Sequence, residues 1–406
     1  MRESAHPWRI TIGFFILFVI SFLGAYIGAP SLARMTVESD VVEATTTPPV
    51  TVIHQKTPEA VKGIYMTACI ASSASLRQKL VALIDETELN TVIIDVKSFD
   101  GNLSFYPRDP ELSRFVGGDC VVRDMKEFIE ELHARDIYVA GRVAVFQDAR
   151  KVGLHPEYAV KKDSDRSVIW RDHKGIPWID AGARPHWEYI VRVAKAAYEI
   201  GFDEINFDYI RFPSDGNMKD IYFPYSEGKK KSDVIESFFA YLHRELGDTG
   251  MVMSADIFGM TTTNTDDLNI GQILEKALPY FDYISPMVYP SHYPRDFNGW
   301  GDPNSRPYDI VRYSMDRAVE RTIATTTPIQ TIGSTVVSSS TTPYQYSKPA
   351  WERTKLRPWL QDNNYPVRYT PEMVRAQIQA TYDAGLTSWM LWNAGNRYSR
   401  EALLTE

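Results

Sequence analysis

The segment Asn206-Phe207-Asp208-Tyr209-Ile210-Arg211-Phe212-Pro213 carries the clearest chemistry in the chain. Asn206 and Asp208 alternate with apolar neighbours, so on a strand of period two they share a face. An acid closes the apolar run, and arginine and aromatic residues enter the loop beyond it. The pattern recurs in Ser254-Ala255-Asp256-Ile257-Phe258, in Ile94-Asp95-Val96-Lys97, and in Arg142 set among alanine and valine. Two acids at one mouth suit cleavage of a glycosidic bond. One carboxylate attacks the anomeric carbon or activates water, and the other, held protonated, donates to the leaving oxygen. On this reading Asp208 is the nucleophile, kept ionised if Arg211 pairs with it. Asp256 is the general acid/base, raised by the apolar Ile257 and Phe258 beside it. Asp95, Lys97, Arg142, Tyr209, Arg211, Tyr289, His292, Asp362, Trp392 and Asn393 are candidate substrate contacts. Guanidinium forks bind carboxylates or hydroxyls, and flat rings suit sugar faces. The plainer alternative for the charges is a set of structural ion pairs, such as Asp95 with Lys97 or Arg142.

These residues need a scaffold that aims them at one point. Apolar, β-rich runs are expected as strands over residues 63–67, 91–96, 137–145, 204–208, 251–257, 282–288, 356–361 and 387–391. Helices are expected over 72–88, 125–135, 185–200, 232–246, 268–278, 307–321 and 371–384. In the first of these, Leu76, Leu80, Leu83 and Ile84 fall on one face. Such alternation implies a parallel sheet, and eight units fit an α/β fold of the (β/α)8 TIM-barrel type. A doubly wound nucleotide-binding sheet is the rival, weakened because no GxGxxG follows the first strand. In a barrel the acids would stand at the C-terminal ends of their strands, where catalytic groups collect. The long connection 146–183, with a hairpin around His173-Lys174-Gly175, is expected to wall the cleft. Residues 322–347, rich in serine and threonine, read as a disordered surface insertion.

Composition narrows the partners. The chain has 406 residues, with 44 Lys plus Arg against 52 Asp plus Glu and a net charge of -8. No basic field for nucleic acid is evident. Two cysteines exclude a disulfide-rich scaffold and a Cys-type zinc module. The 8 histidines include no HExxH, which argues against a zincin. A metal on Asp95, Asp208 and Asp256 is the weakest reading, given few histidines and the nearby Lys97. Neither metal nor cofactor is therefore expected.

Residues 10–29 form an uncharged apolar run. Roughly 20 such residues cross a ~30 Å hydrocarbon core, whereas a cleaved signal usually has a core of ~7–15 residues. Arg2 and Arg9 before it favour an N-terminus inside and a body outside. The expected organisation is a cytoplasmic tip and transmembrane signal anchor over 1–34, then a flexible Thr/Pro-rich linker over 35–60. A barrel domain over 61–406 follows, outside the cytoplasm and held at the cell membrane by a single pass. The alternative is secretion after cleavage near Ser31-Leu32-Ala33. Export makes a Cys69–Cys120 disulfide chemically possible, and each cysteine is equally plausible as a small buried apolar residue.

Eight ordered motifs, GIYMTA, IIDVKSFDGNLSFY, VAGRVAVFQD, FDYIRFP, SADIFGM, ISPMVYPSHY, LRPWLQDN and WMLWNAGN, run through residues 61–398. Together they resemble the glycoside-hydrolase-like TIM-barrel domain of uncharacterised bacterial proteins. The resemblance implies a (β/α)8 barrel distantly similar to α-amylase-type and α-galactosidase-type enzymes. It implies an Asp nucleophile at the end of the fourth strand, the position of Asp208. The chain departs from α-amylase-type barrels in having Asp256 where they have Glu, and Asn206 where they have Arg. It lacks the sixth-strand acid of α-galactosidase-type barrels. After IDVK, where relatives carry a further acid near Ser98, the nearest is Asp100. The function expected is hydrolysis of an envelope or extracellular polysaccharide or oligosaccharide. The alternative is a non-catalytic, carbohydrate-binding barrel of the cell envelope.

Overall fold

The computed structural model describes residues 52–329 and 344–405. Within them lie strands β1 (Lys62–Met66), β2 (Thr91–Lys97), β3 (Tyr138–Ala144), β4 (Glu204–Asp208), β5 (Val252–Phe258) and β6 (Tyr283–Met287). Then follow β7 (Thr326–Ile329), β8 (Tyr344–Ser347), β9 (Trp359–Gln361) and β10 (Trp389–Trp392). All but β7 and β8 close into a barrel in the order β1-β10-β9-β6-β5-β4-β3-β2, with parallel pairing throughout. Every strand expected for the barrel is present within a few residues of its expected ends. The apolar run of residues 10–29, expected as a signal anchor, lies outside the described residues. Among the described residues no helix is long and apolar enough to cross a membrane.

The strands are buried on both sides, as parallel strands under covering helices must be. Every residue of β2 and β3 is buried. Helices α1 (Ala74–Asp85), α2 (Met125–His133), α3 (Arg184–Glu199), α4 (Lys231–Leu246), α5 (Pro307–Ile323) and α6 (Pro371–Asp383) carry apolar faces. Their starts follow local chemistry. Thr370 caps α6 by accepting from the Met373 N–H, and Pro371 occupies the first turn, where no N–H is needed. Inside the barrel a smaller core holds Val61, Tyr65, Ile93, Ala140, Tyr289, Trp359 and Met390. At its N-terminal end Glu204 opens β4 and accepts from Arg357 Nη1 at 2.9 Å, both residues being 1% exposed.

Four local expectations are corrected. Leu76 is 40% exposed, and the buried stripe of α1 runs instead through Arg77, Leu80, Val81 and Ile84. Arg77 tolerates this because its guanidinium reaches both carboxylate oxygens of Asp124 and lies 4.2 Å over the Phe128 ring. The helix expected over 268–278 shrinks to Leu274–Ala277. Asp266 and Asp267 accept from the Leu268 and Asn269 N–H groups at 2.9 and 3.0 Å, turns that compete with a helix. Gly271 then sits at φ +85, where an added Cβ would lie 2.8 Å from the Lys231 carbonyl oxygen. The insertion expected as disordered over 322–347 carries regular structure within the described residues: α5 runs on to Ile323, and β7 and β8 pair antiparallel. Finally, residues 52–60, expected as linker, are tied to the barrel. The Gln55 N–H donates to Asp203 at 2.6 Å, and Thr57 hydrogen-bonds the Tyr138 hydroxyl at 3.2 Å.

Cys69 and Cys120 form a disulfide with a Cα–Cα distance of 4.4 Å. It joins the segment after β1 to the loop after β2. Cys69 is exposed and Cys120 half-buried, so neither serves as a core residue.

Candidate active site

Strand register builds the site. Asp95 on β2 stands beside Arg142 on β3, Arg142 beside Asn206 on β4, and Asn206 beside Ser254 on β5. Register neighbours of parallel strands point to one face, so these residues form one polar layer inside the barrel. Two residues further along, Asp208 and Asp256 follow on the same faces. The neighbouring pair Phe207–Ala255 sets them side by side, one step nearer the mouth.

Arg142 organises one half of the layer. Its Nε and Nη2 donate to Asp208 Oδ2 at 3.0 and 2.5 Å, and its Nη1 donates to Asp95 Oδ1 at 2.7 Å. Asp95 Oδ2 accepts from the Tyr65 hydroxyl at 2.5 Å. Burial works against the Arg142 charge, but Asp208 and Asp95 more than offset it and hold its pKa well above the usual value. Burial raises the Asp95 carboxyl, and Arg142 and Tyr65 oppose that rise. Asp208 Oδ1 accepts from the Tyr209 N–H at 2.6 Å. Tyr209 takes φ +54, a left-handed conformation costly for a bulky residue, and such strain gathers at functional sites.

Asp256 is held differently. Its Oδ1 accepts from Asn206 Nδ2 and from Trp359 Nε1, each at 2.8 Å. Its Oδ2 has no hydrogen-bond partner among the described residues and is not closed off from solvent. Burial, and then the Asp208 charge, push its carboxyl well above the ordinary carboxylate range. The rise foreseen in the sequence is present, with burial inside the barrel as its main cause. With two N–H donors on Oδ1, the proton belongs on Oδ2.

Both acids line one cavity of about 690 Å³. Of the expected contacts, Arg142, Tyr209, Arg211, Tyr289, His292 and Trp392 line it too. Trp392 stacks on Tyr65 with ring centroids 4.2 Å apart. Burial lowers the His292 pKa below its usual value. The connection 146–183 does form a wall, through Gln147, Asp172, Lys174, Ile176 and Trp178. Its expected hairpin is present, closed by the Gly175 N–H to the Asp172 carbonyl at 2.9 Å.

The remaining residues fall elsewhere. Arg211 does not pair with Asp208. After the left-handed turn at Tyr209 it lies in the loop, donating to the Phe212 carbonyl at 3.0 Å and Ser214 Oγ at 3.2 Å. Lys97 does not share a face with Asp95, because the register shifts between them. Lys97 is fully buried and pairs with Asp148 at 2.9 Å, so it is no substrate contact. Asp95 sits behind Arg142 and does not line the cavity. Asp362 accepts from the Ser399 N–H and hydroxyl at 2.8 and 2.7 Å. Asn393 bonds the Asp362 and Arg397 carbonyls. Both brace the ends of β9 and β10 rather than the cavity.

Sequence reasoning missed Tyr65 and Trp359, which hold the two acids from behind. Both lie inside quoted motifs, and period-two reading of β1 and β9 would have flagged them. It also missed Asp172, whose oxygens accept from Gln147, Trp178 and the N–H groups of Lys174 and Ile176. Among the described residues no group of three His, Cys, Asp or Glu is placed to hold a metal ion.

A closed parallel barrel with paired acids and aromatic walls at the C-terminal ends of its strands defines a carbohydrate-active enzyme of the glycoside hydrolase class. The chain belongs to the family described as a putative glycosyl hydrolase domain, which matches residues 63–398. Among curated proteins nothing matches. The glycoside hydrolase domain of PgaB (BpsB) from Bordetella bronchiseptica aligns with a TM-score of 0.55 at 12% identity, covering 83% of this chain and 94% of that one. A hypothetical protein from Ruminiclostridium thermocellum ATCC 27405 is 33% identical over 48% of this chain and 96% of its own, with a TM-score of 0.43. An α-galactosidase from Thermus thermophilus, solved in complex with stachyose, aligns with a TM-score of 0.47 at 13% identity, covering 86% of this chain and 65% of that one.

Proposed function

We propose that the protein hydrolyses a polysaccharide or oligosaccharide outside the cytoplasm, with Asp208 as nucleophile and Asp256 as general acid/base. The observation that carries this is Asp256 Oδ2, open to the cavity and free of hydrogen-bond partners among the described residues, beside an Asp208 anchored by Arg142. A sugar stacked against Trp392 and Tyr209 would present its anomeric carbon to Asp208. Asp208 attacks that carbon as its bond to the leaving oxygen breaks, and the Asp256 proton passes to that oxygen. Water then cleaves the glycosyl–Asp208 ester, giving its proton back to Asp256.

Two features support placement at the cell envelope. The apolar run at residues 10–29 is long enough for an uncleaved anchor. The Cys69–Cys120 disulfide fits an oxidising compartment.

The test is turnover and binding on a glycan panel, comparing wild type with Asp208→Asn and Asp256→Asn. Hydrolysis by wild type and its loss in Asp208→Asn is the expected result. Glycan binding without turnover on any member would replace this reading with a non-catalytic binding barrel.

A further inference from the structure

Five arginines are buried among the described residues: Arg77, Arg142, Arg211, Arg321 and Arg357. Four of them hold an acid: Asp124, Asp95 with Asp208, Glu275 and Glu204 respectively. Arg211 is the exception, although it is 9% exposed. A guanidinium so far removed from water normally needs an anion.

Its surroundings leave one edge free. Nη1 donates to the Phe212 carbonyl and to Ser214 Oγ. Nε and Nη2 donate to nothing among the described residues, yet neither is shut away from solvent. Arg211 lines the cavity, so that edge opens into it. The rings of Trp178 and Phe258, at 4.8 and 4.6 Å, hold the guanidinium in place.

Nearby acids act on the Arg211 charge through space but none forms an ion pair with it among the described residues. Asp208 is taken by Arg142, and both Asp172 oxygens are filled by N–H donors. Asp215, exposed at the rim, accepts from the His173 N–H at 3.3 Å. Lys174, on the hairpin of the same wall, also forms no ion pair among the described residues and adds a second cation facing the cavity.

The geometry points to an acidic sugar as substrate: a uronate whose carboxylate docks on the free edge of Arg211, in the cavity that Asp208 and Asp256 share. Two parallel N–H donors in a plane match the two oxygens of a carboxylate. This rests on the hydrolase reading for its reaction but not for its binding.

The experiment measures binding of the full chain carrying Asp208→Asn, so that no turnover intervenes. The probes are uronate-containing oligosaccharides of several linkages and the carboxyl-reduced, neutral form of each. Expected is at least tenfold tighter binding of one acidic glycan than of its reduced form. In Arg211→Gln that preference falls to within twofold, while the protein still folds and binding of the neutral form remains measurable. Arg211→Lys keeps the charge but loses the fork, and retains only part of the preference. Equal or weaker binding of every acidic form overturns the inference without needing any Arg211 variant. So does a preference that survives in Arg211→Gln. Wild-type turnover separates the two readings. Acidic glycans bound through Arg211 but never cleaved leave this site standing and remove the hydrolase. Cleavage of neutral glycans with no acidic preference does the reverse.

Discussion

Arg142 meets Asp208 through two nitrogens on one oxygen, Nε and Nη2 on Oδ2 at 3.0 and 2.5 Å, while its third nitrogen holds Asp95. The guanidinium thus positions one oxygen of the Asp208 carboxylate, and the Tyr209 N–H holds the other. A lysine could supply the charge but not the fork.

Arg142→Lys is therefore expected to lower kcat/KM by about 100-fold or more, with the loss mostly in kcat. Arg142→Met leaves two buried acids unpaired and should destabilise the fold by about 3–5 kcal/mol. Steady-state kinetics and thermal melts separate the two effects. A fully active Arg142→Lys enzyme would remove Asp208 from its assigned role.

Asp256 must be protonated to act as an acid. Its proton is present below its raised pKa and lost above it, so kcat/KM should fall on the alkaline side as pH rises through that pKa. Asp256→Asn should lose that limb along with about 100- to 10,000-fold of the rate on unactivated glycans. Aryl glycosides with good leaving groups need less protonation and should be spared. Equal losses on both substrate types would point to another acid.

Neighbouring strands lie ~4.8 Å apart, and Asp208 and Asp256 stand side by side on β4 and β5. That spacing suits the ~5–5.5 Å between carboxylates of retaining enzymes rather than the ~6.5–9.5 Å of inverting ones. Proton NMR of the first-formed anomer should show retention. Inversion would mean that water, not Asp208, attacks the sugar.

Asp362 offers a test of stability rather than catalysis. Burial pushes its carboxyl up from 3.8 to about 6. The native state then holds the proton more tightly than the unfolded chain. Stability from this group is present below about pH 4 and is lost as pH rises through about 6, by on the order of 3 kcal/mol. Asp362→Asn can still accept from the Ser399 N–H and donate to its hydroxyl. It should flatten the fall in melting temperature between about pH 4 and 7 and exceed wild type at pH 7. Parallel curves for the two proteins would show that Asp362 does not titrate there.

Much of the barrel was legible because strands and helices announce themselves locally. Runs such as Thr91-Val92-Ile93-Ile94 read as buried strand from their own residues, and Thr370-Pro371 marks a helix start. Where a side chain competes with the backbone, periodicity misleads. Asp266 and Asp267 turned an expected helix into a loop, a local effect that a count of apolar positions overlooks.

By itself the sequence determined which residues stand at strand ends and on which face, because the alternation of a β-strand is intrinsic to the chain. Asp208 and Asp256 were found that way. Only the tertiary structure decided who pairs with whom. Arg142 rather than Arg211 holds Asp208, Lys97 turns away at a register shift, and Tyr65 and Trp359 support the acids from strands far off in sequence. The physical reason is that ion pairs and burial depend on distances across the closed sheet, which no local spacing encodes.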